Sequence, residues 1–308
     1  MFRRVSELVK LAESLSVPIS EVMIRQESEL SRRTRGEVLQ QMELNLDTMD
    51  RAAARGLVGD IRSVSGLTGG DAARLEKYIG LGSFLSGETV LEAVSRAIAT
   101  NEVNAAMGLI CATPTAGASG VIPGTLFALR NRLAPTRTQM LNFLFTAGAF
   151  GLVIANNATI SGAVGGCQAE IGSASGMAAA AAVELAGGKP HQSAHAMALA
   201  LQTMLGLVCD PVAGLVEIPC VVRSGMGSAH ALIAADMALA GIESRIPCDE
   251  VIDAMLQIGQ AMPVSLRETG QAGLANTPTA RVLGARVFGT PLPSNYPPSV
   301  QERKVSSS

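Results

Sequence analysis

Residues 162–220 read GAVGGCQAEIGSASGMAAAAAVELAGGKPHQSAHAMALALQTMLGLVCDPVAGLVEIPC, and the rest of the chain is interpreted outward from this stretch. The alanine-rich run from Gly176 to Ala186 predicts a buried helix that Gly187-Gly188 ends. Pro190 then opens a second helix at the position where a missing N–H costs nothing. Three of the five cysteines, Cys167, Cys209 and Cys220, lie here in turn-like settings: after a glycine pair, before Asp-Pro, and directly after Pro219.

The same reading extends in both directions. Val5 to Leu15 predicts an amphipathic helix closed by Pro18, with Ser20 capping a much longer one that carries Val38, Leu39, Met42, Leu46 and Met49 at helical spacing. Helices are expected over 88–106 and 138–154, from just after Arg223-Ser224-Gly225 through Leu239, and from a cap at Asp249 to Gly259. Period-two runs are almost absent, so the fold class is mainly α. The expected organisation is an N-terminal helical arm over 1–70, a compact multi-helix catalytic domain over 71–289, and a disordered, proline-bearing tail over 290–308.

Composition removes several function classes. With 308 residues, 48% of them apolar, the chain buries a substantial core. A net charge of -2, two Tyr and no Trp leave neither the charge nor the stacking surfaces that nucleic acid requires. Five cysteines, an odd number at irregular spacing, favour thiols or metal ligands over a disulfide frame, and no secretory signal precedes them, so a cytoplasmic location is expected. Charge is uneven, with only 12 of the 50 charged residues between Val103 and Pro247. That middle is deeply buried, membrane-embedded or covered by a partner. Its most apolar part, Met140 to Ala155, is 16 residues, short of the roughly 20 a bilayer span needs, so no membrane role is expected.

Several local patterns carry chemistry with two readings each. Gly66 to Asp71 suggests a phosphate loop but lacks the Lys-Ser/Thr that would follow one; an ordinary helix start at Asp71 is the alternative. Thr113, Thr115 and Ser119 sit in a turn-rich segment with Pro114, Gly117 and Gly120, where backbone amides can approach a small anion or simply form turns. His191 and His195, four apart, share a helix face as half of a metal site or as packing residues. Cys111 and Cys248 read as small buried hydrophobes. Lysines number four, and only Lys189 lies within the motif-bearing region, so pyridoxal phosphate (PLP) chemistry is not expected. A non-catalytic helical scaffold, its alanine tracts packing helices closely, is the bland alternative.

The words NEVNAAMGLICATPTAGASGVIPG, ISGAVGGCQAEIGSASGMAAAAAVELAGG, LGLVCDPVAGLVEIPCVVRS and RETGQAGLA together resemble the iron-sulfur-dependent L-serine dehydratases. The resemblance implies a 4Fe-4S cluster held by Cys167, Cys209 and Cys220 with one iron left open to L-serine. It implies conversion of L-serine to pyruvate and ammonia, with Arg223 as the carboxylate clamp or, equally, paired with Asp210 or Glu217. Thr113, Thr115 and Ser119 join Arg223 as substrate-site candidates. The single-chain members carry a further domain with a Ser-His-Thr segment that this sequence lacks, so the chain looks like the alpha subunit of the two-chain type, with a beta subunit as partner. A relative acting on another β-substituted amino acid is the alternative.

Overall fold

Small side chains set how closely the helices of this chain approach one another, and the computed structural model, which describes residues 1–290 of 308, shows where. Thirteen α-helices follow in order among the described residues: α1 (Val5–Leu15), α2 (Ile19–Ser31), α3 (Arg35–Leu57), α4 (Asp71–Ile79), α5 (Glu88–Ala105), α6 (Val121–Leu133), α7 (Arg137–Asn157), α8 (Gly162–Gly165), α9 (Ser173–Leu185), α10 (Pro190–Gln202), α11 (Cys220–Leu239), α12 (Cys248–Ala261) and α13 (Pro278–Phe288). No strand occurs among the described residues, and a single parallel bridge joins Cys209 to Arg267. The mainly α reading holds. The tail expected from 290 onward lies, but for its first residue, outside the described residues.

Helix α9 is the centre. Every residue from Ser173 to Val183 is buried, because alanine and glycine leave no side chain long enough to hold neighbours away, and α6, α7, α10 and α11 all pack against it. A comparable close approach joins α5 to α6: a Cβ placed on Gly120 would stand 2.1 Å from the Ala97 carbonyl oxygen, and one on Gly124 2.6 Å from that of Ala93. The N-terminal helices supply Phe2, Val5, Leu8, Ile19 and Leu46 to the same apolar cluster as Phe127, Phe143 and Phe150. Helix α7 has the length and composition of a membrane span, yet Phe143, Phe145, Phe150, Val153 and Ile154 are buried within the protein.

Four helix boundaries differ from the sequence expectation, some for local reasons and some because a distant group intervenes. The long second helix is two: Arg32, at φ 55°, closes α2, and Thr34 with Glu37 forms a capping box that starts α3. Pro18, not Ser20, is the N-cap of α2, and the Ser20 amide is served from a distance by Glu184 Oε2 at 3.3 Å. Asp249 lies inside the first turn of α12 and instead accepts from the Val5 and Ser6 amides at 2.7 and 3.0 Å, capping α1 across the tertiary structure. Helix α11 begins at Cys220, so Arg223 belongs to its first turn and does not precede it. A helix does start at Asp71, where Glu102 accepts from the Asp71 amide at 2.7 Å. The amides of Leu67 and Thr68 are taken by the hydroxyls of Ser65 and Ser63 and that of Asp71 by Glu102, so these three donors are not presented to a phosphate.

Candidate functional site

The three loop cysteines arrive from three directions. Cys167 stands between α8 and a π turn, Gln168–Gly172, that leads into α9; such turns recur at functional sites because the extra residue re-aims a side chain. Cys209 is held extended, its amide bonded to the Leu266 carbonyl at 2.9 Å and its carbonyl accepting from Glu268 N at 2.7 Å. Cys220 is the first residue of α11, a 20-residue helix whose dipole acts in the direction opposite to burial on this thiol. All three are buried and none is in a disulfide.

Burial is the chief cause pushing these thiols up, Cys167 and Cys220 to about 12 and Cys209 also upward. The further causes show the grouping. Cys209 responds to the charges of Cys167, Glu170 and Cys220, and Cys220 to Cys167 and Glu170, while Arg223 eases Cys167 and Cys220 downward. Among the described residues no three Cys, His, Asp or Glu side chains close on a point that one metal ion would occupy. A cluster makes a different demand: each iron takes its own thiolate, so the ligands stand apart around a shared core. Three free, buried, mutually interacting thiols beside one arginine fit that donor set. Bare backbone adjoins it, since a Cβ on Gly162 would stand 3.2 Å from Cys209 Sγ.

Polar residues fix the loops that carry the thiols. Gln168 is fully buried; its amide nitrogen donates to the Met255 carbonyl and its oxygen accepts from Gly206 N, both at 2.9 Å, tying α12 to the segment entering Cys209. Arg223 donates to the Val208 carbonyl at 2.9 Å and pairs with Asp210, also at 2.9 Å, which in turn accepts from the Leu274 amide at 2.7 Å. Glu217 does not pair with Arg223; it accepts from the Ser65 and Thr68 hydroxyls at 2.7 and 2.8 Å, binding the 63–70 loop to the turn before Cys220.

The Thr113–Ser119 loop reaches the thiols through one residue. Thr115 donates to Glu170 Oε1 at 2.6 Å, and Glu170 Oε2 lies 3.8 Å from Cys209 Sγ. Burial, before the opposing hydrogen bond from Thr115, raises the Glu170 carboxyl. Thr113 donates instead to the Ser119 carbonyl at 3.3 Å, and the Ser119 hydroxyl is fully buried without a partner. Asn101 pins the loop from beneath, donating to the Gly117 carbonyl at 2.8 Å and accepting from Gly120 N at 2.9 Å. Of the substrate-site candidates, then, Thr115 and Arg223 stand against the cysteine segments, while Thr113 and Ser119 bond within their own loop.

The remaining candidates lie elsewhere. His191 and His195 stack edge-to-face with ring centres 6.5 Å apart, and His191 meets Glu13 at 3.0 Å in a surface pocket with Lys10 and Asp249. Cys248 is buried beneath that pocket, whereas Cys111 is only half-buried, near the Asn45 carbonyl. Lys189 is exposed at the N-cap of α10. The sequence reading missed Gln168 and Glu170, which stand inside the quoted motif words. The signal available was scarcity: Glu170, Asp210, Glu217 and Arg223 are four of only 12 charges between Val103 and Pro247, and all gather at the thiol segments.

A family model described as serine dehydratase alpha chain matches residues 14–275. The chain is 65% identical over 294 residues to a protein of Bacillus subtilis (strain 168) named "Probable L-serine dehydratase, alpha chain", covering 96% of this chain and 98% of that one. It is 40% identical to the "L-serine dehydratase, alpha chain" of Peptoniphilus asaccharolyticus over 91% of this chain and 96% of that one. The "L-serine dehydratase" of Streptomyces coelicolor is 37% identical over 89% of this chain, which spans 60% of that longer protein.

Proposed function

This chain belongs to the serine dehydratase alpha chain family, and from that premise we propose that it is the alpha subunit of an L-serine dehydratase, a lyase that converts L-serine to pyruvate and ammonia. In this reading Cys167, Cys209 and Cys220 hold a 4Fe-4S cluster, the enzyme works in the cytoplasm, and a second, beta chain completes the substrate site. The observation that supports it is that three buried thiols outside any disulfide, 42 and 11 residues apart in sequence, lie on segments that Gln168, Glu170 and Arg223 tie together.

The overall chemistry is a β-elimination. The Cα–H bond breaks, its electron pair forms the Cα=Cβ bond, and the β-hydroxyl departs as water. The enamine so released tautomerises to an imine, which takes up water to give pyruvate and ammonia. A bound cluster would supply a Lewis-acidic iron with no protein ligand, able to polarise a substrate oxygen. The chain's own residues hold the reactants. Arg223, fixed by Asp210 and the Val208 carbonyl, brings positive charge to the thiol segments, where the substrate carboxylate needs it. The Gln168 clamp and the bridge at Cys209 hold the ligand loops in register, so loading the site requires little rearrangement of the backbone.

Anaerobic co-expression with the second chain tests the reading. Purified protein should be brown, with about four iron and four sulfide per alpha chain, and Cys209→Ser should lose iron and pyruvate formation together. Full activity in protein free of iron would overturn it.

A further inference from the structure

Resting on the dehydratase reading above, we propose that Glu170 binds the α-ammonium group of L-serine. Glu170 is the charged side chain that touches both halves of the site, Thr115 of the 113–119 loop at 2.6 Å and Cys209 Sγ at 3.8 Å. It is buried, and it makes no ion pair with any arginine, lysine or histidine among the described residues. A buried carboxyl group without a cation is costly to ionise, and it stays protonated unless a charge of opposite sign is brought to it.

The protein around it does not supply that charge. Arg223, the cation that eases the nearby thiols, is spent on Asp210 and the Val208 carbonyl. The other charges acting on Glu170 come from Glu268, and the side chains it touches are a hydroxyl and a thiol. Thr115 is the one oxygen or nitrogen donor the described residues give Glu170, against the roughly four lone-pair directions a carboxylate offers. The missing partner is a small cation with several N–H groups. The ammonium of a zwitterionic amino acid has that chemistry.

Backbone, not side chain, walls the carboxylate. A Cβ on Gly117 would stand 3.4 Å from Glu170 Oε1, and one on Gly162 2.5 Å from Oε2, so Glu170 has little room to swing away from the position Thr115 gives it. An anchor held this way discriminates by charge at a set point, and it selects for an amino acid over a hydroxy acid with the same hydroxyl and carboxylate.

The test uses anaerobically purified, iron-loaded enzyme with its second chain and measures dissociation constants for two probes by calorimetry. D-Serine carries the ammonium; 3-hydroxypropanoate has the hydroxyl and carboxylate without it. E170Q should weaken D-serine by about 10- to 100-fold and leave 3-hydroxypropanoate within about twofold, with iron content unchanged. E170D, which keeps the charge but withdraws it, should hold iron and fall between the two. Equal weakening of both probes in E170D, or undiminished preference for D-serine in E170Q, would overturn the anchor. Wild-type enzyme that bound iron but formed no pyruvate from L-serine would overturn the dehydratase reading, and the anchor with it.

Discussion

Gly162→Ala asks how much room the thiol site has. Gly162 opens α8 and does not adopt a positive φ, so alanine is sterically allowed by the backbone and, as the better helix former, would by itself stabilise by up to about 1 kcal/mol. The new methyl, however, would stand 2.5 Å from Glu170 Oε2 and 3.2 Å from Cys209 Sγ. Carbon and oxygen rest about 3.3–3.6 Å apart, so Glu170 must yield by about 1 Å. It cannot do so freely, because its other oxygen is held by Thr115 at 2.6 Å. Breaking that bond inside a buried site costs about 1–3 kcal/mol, more than the helix gains. The sulfur is also crowded, and a displacement near 1 Å at a reacting centre can reduce rate by about 100-fold. Circular dichroism melts should therefore show a small net destabilisation with helix content intact, while iron per chain and kcat/KM for L-serine fall sharply. A G162A protein with wild-type iron content and wild-type kcat/KM would refute the reasoning.

Gly120→Ala should act on the fold and, through Asn101, on the 113–119 loop: its Cβ would stand 2.1 Å from the backbone oxygen of Ala97 and 2.5 Å from Asn101 Oδ1, and backbone has no rotamer by which to withdraw, so we expect a loss of about 2–4 kcal/mol in chemical denaturation. The third prediction concerns pH. Burial holds the Glu102 carboxyl above the ordinary carboxylate range, so the native state binds that proton more tightly than the unfolded chain. Its contribution to stability is therefore largest at low pH and diminishes as pH rises from the unfolded carboxylate value through the raised folded one. Glu102→Gln, compared with wild type in denaturation midpoints at about pH 5 and about pH 7.5, should flatten this dependence; an unchanged slope would count against it.

Helix existence was legible because it rests on local spacing. Helices over 88–106 and 138–154, and the one opened by Pro190, stand within a few residues of α5, α7 and α10. Boundaries were less so where a distant group decided them. Asp249 looks like a cap of its own helix, but its carboxylate serves the amides of Val5 and Ser6, 244 and 243 residues away. Ser20 looks like a cap, yet its own amide is satisfied by Glu184. A cap is a hydrogen bond to whichever acceptor is nearest in space, and sequence shows only the nearest along the chain.

The sequence by itself determined that this protein is mainly helical and that its loop cysteines fall at turns and helix ends, because apolar period and turn residues act over a few positions. Only the tertiary structure decided which side chains stand together there. It brought Glu170 to Thr115 across 55 residues and to Cys209 across 39, and set Arg223 on Asp210 and not on Glu217. The reason is physical: electrostatic pairing depends on separation in space, and the close packing around the alanine-rich α9 chooses those separations.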